Sequence, residues 1–228
     1  MYNRIIQGDC HAILRTLPAD SVDFVLTDPP YLVRYKDRSG RTIRNDSTST
    51  VLDAFTDVFR VMKPNTFCVS FYGWNRVDAF FAVWKRAGFT PVGHLVFSKS
   101  YASSQRFLRY THEAAYLLAK GHPAQPDEPI SDVQPWHYSG NHGHPTEKSV
   151  ETLRPIIRAF SKPGETVLDP FAGSGSSLVA AALLGRNYLG IELEQKYCDL
   201  AQRRLGGVAR YQHQEARQEI SSAAEGPG

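Results

Sequence analysis

The stretch VDFVLTDPPYLVRY, residues 22–35, ends an apolar run with an acid, two prolines and an aromatic ring. A turn needs one proline and has no use for a particular acid or ring beside it. Asp28, Pro29, Pro30 and Tyr31 therefore have two readings: a rigid strand exit, or a small pocket built for something flat and polar. The prolines hold the backbone still and offer no competing N–H.

A second chemical stretch is TVLDPFAGSGSSLVAAALLGRNYLGIELE, residues 166–194. A strand pattern runs into Asp169, then into Gly173-Ser174-Gly175 and a small-residue helix, and the next strand pattern ends at Glu192. Glycines let a backbone approach a ligand, and a helix N-terminus supplies unpaired N–H groups. The dinucleotide fingerprint wants Gly or Ala where this chain has Leu178. The triphosphate loop wants a lysine where Ser176-Ser177 follow the glycines. Glu192 can take both hydroxyls of a ribose, and Asp169 can pair with an ammonium. That pair suits a ligand with an unphosphorylated nucleoside at one end and an amino acid at the other, the shape of S-adenosyl-L-methionine. The competing reading is a close-packed helix–strand turn.

The elements that position these residues read as an α/β pattern. Strands are expected at 4–7, 22–27, 66–73, 90–98, 166–170 and 187–192, and at 112–121, whose pattern fits strand or helix and is read as strand from its neighbours. Helices are expected at 11–16, 51–62, 75–87, 149–161, 175–185 and 194–205, and residues 122–146 read as irregular. A chain of 228 residues, 42% of them hydrophobic, makes one compact domain. We divide it into a catalytic half 1–121, a connecting loop 122–148 and a cofactor half 149–206, with 207–228 expected to be a disordered tail. The formal charge of +3 permits a nucleic-acid partner without demanding one. Cys10, Cys68 and Cys198 form no C-x-x-C pair, which argues against a disulfide framework or a thiolate metal site. No apolar run approaches the roughly 18 residues of a membrane span, and no leader is apparent, so the expected setting is cytoplasmic.

With DPPY and DPFAGSG in one chain, the sequence resembles the amino-methylating DNA methyltransferases. The order of the two motifs is that of the β class. GDC at 8–10, VFRVMKPN at 58–65 and HPTEKSVETLRPIIRAFSKPGETVLD at 144–169 also fit, with Ser149 where the family usually has proline. The resemblance covers roughly residues 2–206. It implies a Rossmann-like class I sheet, mostly parallel and seven-stranded with one antiparallel strand, and helices on both faces. It further implies that S-adenosyl-L-methionine is held by Asp9, Cys10, Thr146, Lys148, Asp169, Phe171, Ala172, Gly173, Ser174, Gly175 and Glu192. Asp9 would accept from the adenine amino group of the cofactor; Thr146 and Lys148 would lie near its methionine carboxylate.

The chemistry implied is displacement at a sulfonium methyl by an exocyclic amine whose lone pair is delocalised into its ring. Hydrogen bonds from that amine to Asp28 and the Pro29 carbonyl would draw nitrogen towards sp³ and stabilise its developing charge. Tyr31 would stack on a flipped base, worth about 1–3 kcal/mol. Adenine N6 is favoured over cytosine N4 by the DPPY form of the tetrapeptide. Methylation of RNA or a protein amide, and a silent protein that only binds, are the rivals.

Arg34, Lys36, Arg38, Arg41 and Arg44 lie in a loop leaving the tetrapeptide and read as a DNA-contacting flap, the competing reading being a solvated surface loop. Arg106 and Arg109 would continue the basic track. His137, His142 and His144 lack a fourth ligand or a cysteine, so no metal is expected. Tyr72 and Trp74 either line the pocket or belong to the core. The interval between LLAKG and HPTEK is too short for a large target-recognition insertion. DNA sequence must then be read by short loops or a second subunit, or read loosely.

Overall fold

The computed structural model describes residues 2–32, 49–104, 107–138, 140 and 147–224. The elements in chain order are β1 (Arg4–Gln7), α1 (Cys10–Thr16), β2 (Val22–Thr27), α2 (Ala54–Val61), β3 (Met62–Phe71), α3 (Val77–Ala87), β4 (Thr90–Ser98) and β5 (His112–Lys120). After them come β6 (Val133–Pro135), α4 (Val150–Phe160), β7 (Thr166–Asp169), α5 (Ser176–Leu183), β8 (Asn187–Glu192) and α6 (Gln195–Ala224). Short 3₁₀ turns at Ser49–Asp53 and Trp74–Arg76 lead into α2 and α3.

The strands form one sheet in the order β1-β8-β7-β2-β3-β5-β4-β6. Every neighbouring pair is parallel except the two that involve β5, so β5 alone runs against the rest. Side chains alternate across the sheet as strand geometry requires. From β2 and β3, Val25 and Cys68 enter a core shared with Leu14, Phe55, Val58 and Trp84 of α1, α2 and α3. Phe24, Leu26, Val69 and Phe71 enter the opposite core with Ile156 and Ile157 of α4 and Ala180 of α5. α6 closes that second face against Ile5 and Leu178 through Cys198, Ala201 and Leu205.

Three expectations are corrected. The sheet has eight strands rather than seven, because Val133–Pro135 pairs with Val96–Ser98. That piece is three residues long, exposed at Val133 and Pro135 and held by backbone pairing, so no side-chain alternation announces it. The 51–62 helix gives way to strand backbone at Met62. Register jumps from Val22↔Met62 to Phe24↔Phe67, and the KPN segment bulges out with Asn65 in the left-handed region. Finally, α6 continues to Ala224 through the segment expected to be a disordered tail. Gln, Glu, Arg and Ala favour helix, and a helix nucleated on a packed face propagates without needing further apolar residues. The 112–121 segment, whose pattern fits either element, is a strand because β3 and β4 flank it on both edges.

Candidate active site

Parallel strands deliver their C-terminal ends to one edge, and here that edge carries the candidate residues. β7 leads through α5 to β8 in one direction, whereas β2 leads through α2 to β3 in the other. The chain therefore reverses between β7 and β2, the place where open α/β sheets form their ligand crevice. Asp169 closes β7 and Asp28 follows β2, with Val25 and Leu168 in register below them. Glu192 ends β8 opposite Gln7, so Gly8 and Asp9 stand beside it. Residues far apart in sequence thus form one row: Asp9, Glu192, Asp169, Asp28.

Asp28 has two different oxygens. Oδ2 accepts from Lys148 Nζ at 2.5 Å. Oδ1 is buried and has no hydrogen-bond partner among the described residues. A buried oxygen without a donor costs about 1–3 kcal/mol, so such an atom at a crevice points to a ligand donor. Lys148 Nζ also lies 3.5 Å from the Tyr31 hydroxyl and is packed among rings, 4.8 Å from the centre of Phe71 and 5.7 Å from that of Trp136. Tyr31 is backed by Gly73, where an added Cβ would stand 3.0 Å from both Tyr31 Cβ and its carbonyl oxygen. Burial first, and then the Asp28 charge, push the Tyr31 phenol well above its ordinary pKa, so it stays neutral. Leu32, next along, sits at φ 62, a strained conformation for a branched side chain that fixes the exit of the tetrapeptide.

The glycine loop is tied from both sides. Asp169 accepts from Phe171 N–H at 3.0 Å and from the Ser177 hydroxyl at 2.5 Å. Burial raises its carboxyl to about 7; these bonds oppose the rise and the Asp28 charge adds to it. Glu192 accepts from Gly173 N–H at 2.9 Å and Glu194 N–H at 2.8 Å, which orients both oxygens, and burial raises its pKa. The left-handed backbone of Gly173 and Gly175 carries the loop over the strand end to α5. Beneath it, Arg204 Nη1 donates to the Ser174 carbonyl at 2.8 Å and to Glu147 at 2.7 Å. Ser174 is buried, Ala172 is 7% exposed and Phe171 is half-buried.

Asp9 caps α1, accepting from His11 N–H at 2.9 Å and Ala12 N–H at 3.2 Å through one oxygen. Cys10 is buried, and burial with the Asp9 charge pushes its thiol up to about 12. Burial raises Cys68 and Cys198 too, so none of the three is an activated nucleophile. Tyr72 belongs to the core, with its hydroxyl 3.0 Å from His94 Nε2. Trp74 is 63% exposed and stacks on Tyr110 at 5.7 Å. That stack steadies a hairpin which prolongs β4 and β5 through bonds between Lys99 N–H and the Thr111 carbonyl and between Ser103 N–H and the Tyr110 carbonyl. Arg109 is exposed on it beside Phe107, itself 97% exposed. Arg34, Lys36, Arg38, Arg41, Arg44, Arg106, Thr146, His142 and His144 lie outside the described residues. His137 is exposed and its backbone N–H donates to Thr152.

Lys148 on Asp28, Arg204 under the loop and Gly73 behind Tyr31 do not emerge from sequence reasoning. Lysines, arginines and glycines are too common to signal contacts between such distant positions.

Residues 22–203 match the family model described as DNA methylase. The chain belongs to that family. A relative from Escherichia coli K12, the methylase YubD, is 54% identical over 94% of this chain and 95% of its own length. YhdJ of the same organism, a DNA adenine methyltransferase, is 28% identical over 92% of this chain and 85% of its own. Among solved structures, the PvuII cytosine-N4-specific DNA methyltransferase superposes with a TM-score of 0.72. It is 15% identical, with 90% of this chain and 89% of that one covered, a likeness of fold alone. The sheet superposes on that of a solved DNA methyltransferase, as membership of this family leads one to expect.

Proposed function

We propose that this DNA methyltransferase methylates the exocyclic N6 amine of adenine, with Asp28 as the residue that receives the amine. The cofactor is S-adenosyl-L-methionine, the methyl donor of the family; bound, it supplies an electrophilic methyl group on a sulfonium. The residues present fit it. Glu192 has both oxygens oriented by backbone N–H groups and lone pairs left for ribose hydroxyls. Asp169 is a buried carboxylate at the neighbouring strand end, suited to an ammonium.

The single observation that carries the reading is the buried Oδ1 of Asp28, without a partner among the described residues, at the reversal point of the sheet. An exocyclic N–H donated to that oxygen satisfies it, draws nitrogen towards sp³ and stabilises the positive charge that develops there. Pro29 and Pro30 hold the carboxylate and the Pro29 carbonyl in fixed relation, which keeps the amine in line with the methyl group. Tyr31, neutral and backed by Gly73, offers its ring to the base. Asp9, Cys10, Phe171, Ala172, Ser174 and the two glycines of the loop form the wall of the nucleoside site. Arg109 and the basic residues 34–44 contact DNA phosphates.

Adenine is favoured because the tetrapeptide begins with aspartate and because YhdJ is an adenine enzyme. Cytosine N4 is the second reading, since an enzyme specific for cytosine N4 is built on the same fold and the sheet itself does not choose the base. The test is incubation with labelled cofactor and unmethylated DNA, followed by nucleoside analysis. N6-methyladenine is expected, falling about 10²–10³-fold in Asp28→Asn and Asp28→Ala while cofactor binding persists. N4-methylcytosine would overturn the choice of base, and undiminished product in the Asp28 variants would overturn the role of that residue.

A further inference from the structure

β4 runs parallel to β2, so the hairpin that prolongs β4 and β5 leaves the sheet at the edge that carries Asp28. Its root lies at the pocket of Asp28 and Tyr31. Lys99 Nζ stands 5.1 Å from the centre of the Trp136 ring, and Lys148 Nζ, bonded to Asp28, stands 5.7 Å from the same centre. Lys99 also braces the hairpin. Its side chain is 3% exposed, pairs with Glu113 and donates to the Ser103 hydroxyl at 3.2 Å. Further out, Tyr110 N–H donates to the Ser104 carbonyl at 3.1 Å, and the Tyr110 ring stacks on Trp74. Beyond these bonds stand Phe107, 97% exposed, Leu108, 68% exposed, and the exposed Arg109.

A single exposed apolar side chain is ordinary. Two in succession on a hairpin fixed at its root by a buried ion pair, and along its length by an aromatic stack, are a different matter. This chain covers neither of them, and water meets both at a standing cost. The occupant that fits is the base stack of a DNA duplex. The hairpin projects from the edge at which the pocket lies, and Arg109 beside the apolar pair suits a phosphate backbone. Taking a base out of a duplex leaves a gap between its neighbours, and a flat apolar ring fills such a gap. We propose that Phe107 enters the base stack and takes the place of the base that moves into the pocket of Asp28 and Tyr31. This rests on the reading above, in which a base enters that pocket. Phe107 touches none of the reacting atoms and is a positioning residue.

The test uses a duplex carrying a site that the wild-type enzyme methylates; absence of any methylated DNA would refute the underlying reading at that earlier step. Methylation is compared on that duplex and on one with an abasic position opposite the target base, where extrusion costs less. Phe107→Ala should lower kcat/KM about 10-fold or more on the paired duplex and less than about 3-fold on the abasic one. Phe107→Trp, which keeps a flat ring, should stay within about 3-fold of wild type on both. With 2-aminopurine as the target base, emission should rise when wild type binds and rise about half as much or less with Phe107→Ala. Undiminished turnover on the paired duplex, an equal loss on both duplexes, or an equal rise in emission overturns the proposal. Sedimentation of both proteins addresses the other occupant. Wild-type dimers that Phe107→Ala converts to monomers would place a second copy on the tip and overturn it as well. Phe107 is 97% exposed, so its replacement leaves the core intact and the variant folds.

Discussion

Asp169→Asn isolates the cost of holding an acid at the floor of the crevice. The Asp169 carboxyl is raised from 3.8 to about 7, chiefly by burial. In the unfolded chain it returns to the ordinary value. Between those limits the folded state binds the extra proton, so the contribution of Asp169 to stability is full below about pH 4 and is lost as pH rises through about 7. Each pH unit in that window is worth about 1.4 kcal/mol, so wild type should lose about 3 kcal/mol through this residue between about pH 5 and pH 8. The amide introduced by Asp169→Asn mimics the protonated acid. Its oxygen can accept from Phe171 N–H, and its NH₂ can donate to the Ser177 hydroxyl, groups that Asp169 already contacts. Denaturant unfolding of both proteins across that range reads the double difference, which cancels every other titrating group. The variant should match wild type within about 1 kcal/mol at acid pH and exceed it by about 3 kcal/mol at alkaline pH. A difference that stays flat across the range would refute the reasoning.

Two other perturbations follow from packing and charge. Gly190→Ala places a Cβ 2.4 Å from Leu178 Cδ1 and 3.1 Å from Ala172 Cβ, so it should cost about 1–3 kcal/mol by denaturant melt. Adding Leu178→Ala should then cost far less than it does in wild type; strict additivity would show that the two side chains do not share that space. Arg109→Ala should weaken DNA binding and lower the salt slope of log affinity by about one, and an unchanged slope removes Arg109 from the phosphate track.

How far the sequence reached differs between the fold and the site. Periodicity located six strands and most helix ends, because alternating and 3.6-fold patterns are printed locally, while 112–121 was placed only by its strand neighbours. Gly88, at φ 106, terminates α3 where glycine permits a left-handed cap. The three-residue β6 escaped because backbone pairing leaves no side-chain pattern, and the run of α6 to Ala224 escaped because propensity was set aside for apolar content. Leu178 shows a partial reading. Its presence argued against the dinucleotide fingerprint, but only the sheet reveals that the close approach moved to the strand, where Gly190 leaves room for the leucine.

By itself the sequence determined which residues could do chemistry: an acid held by two prolines before a ring, and a glycine loop between Asp169 and Glu192. Those are local facts of residue type and spacing, and they carried the resemblance to the amino-methylating DNA methyltransferases. Tertiary structure alone decided that Asp28 and Asp169 are neighbours across adjacent parallel strands, that Gly73 backs Tyr31, and that Lys148 sits on the Asp28 carboxylate. The reason is reach. Periodicity and turn chemistry act over a few residues, whereas the Lys148–Asp28 contact joins positions 120 apart and exists only once the sheet has brought its strand ends to one edge.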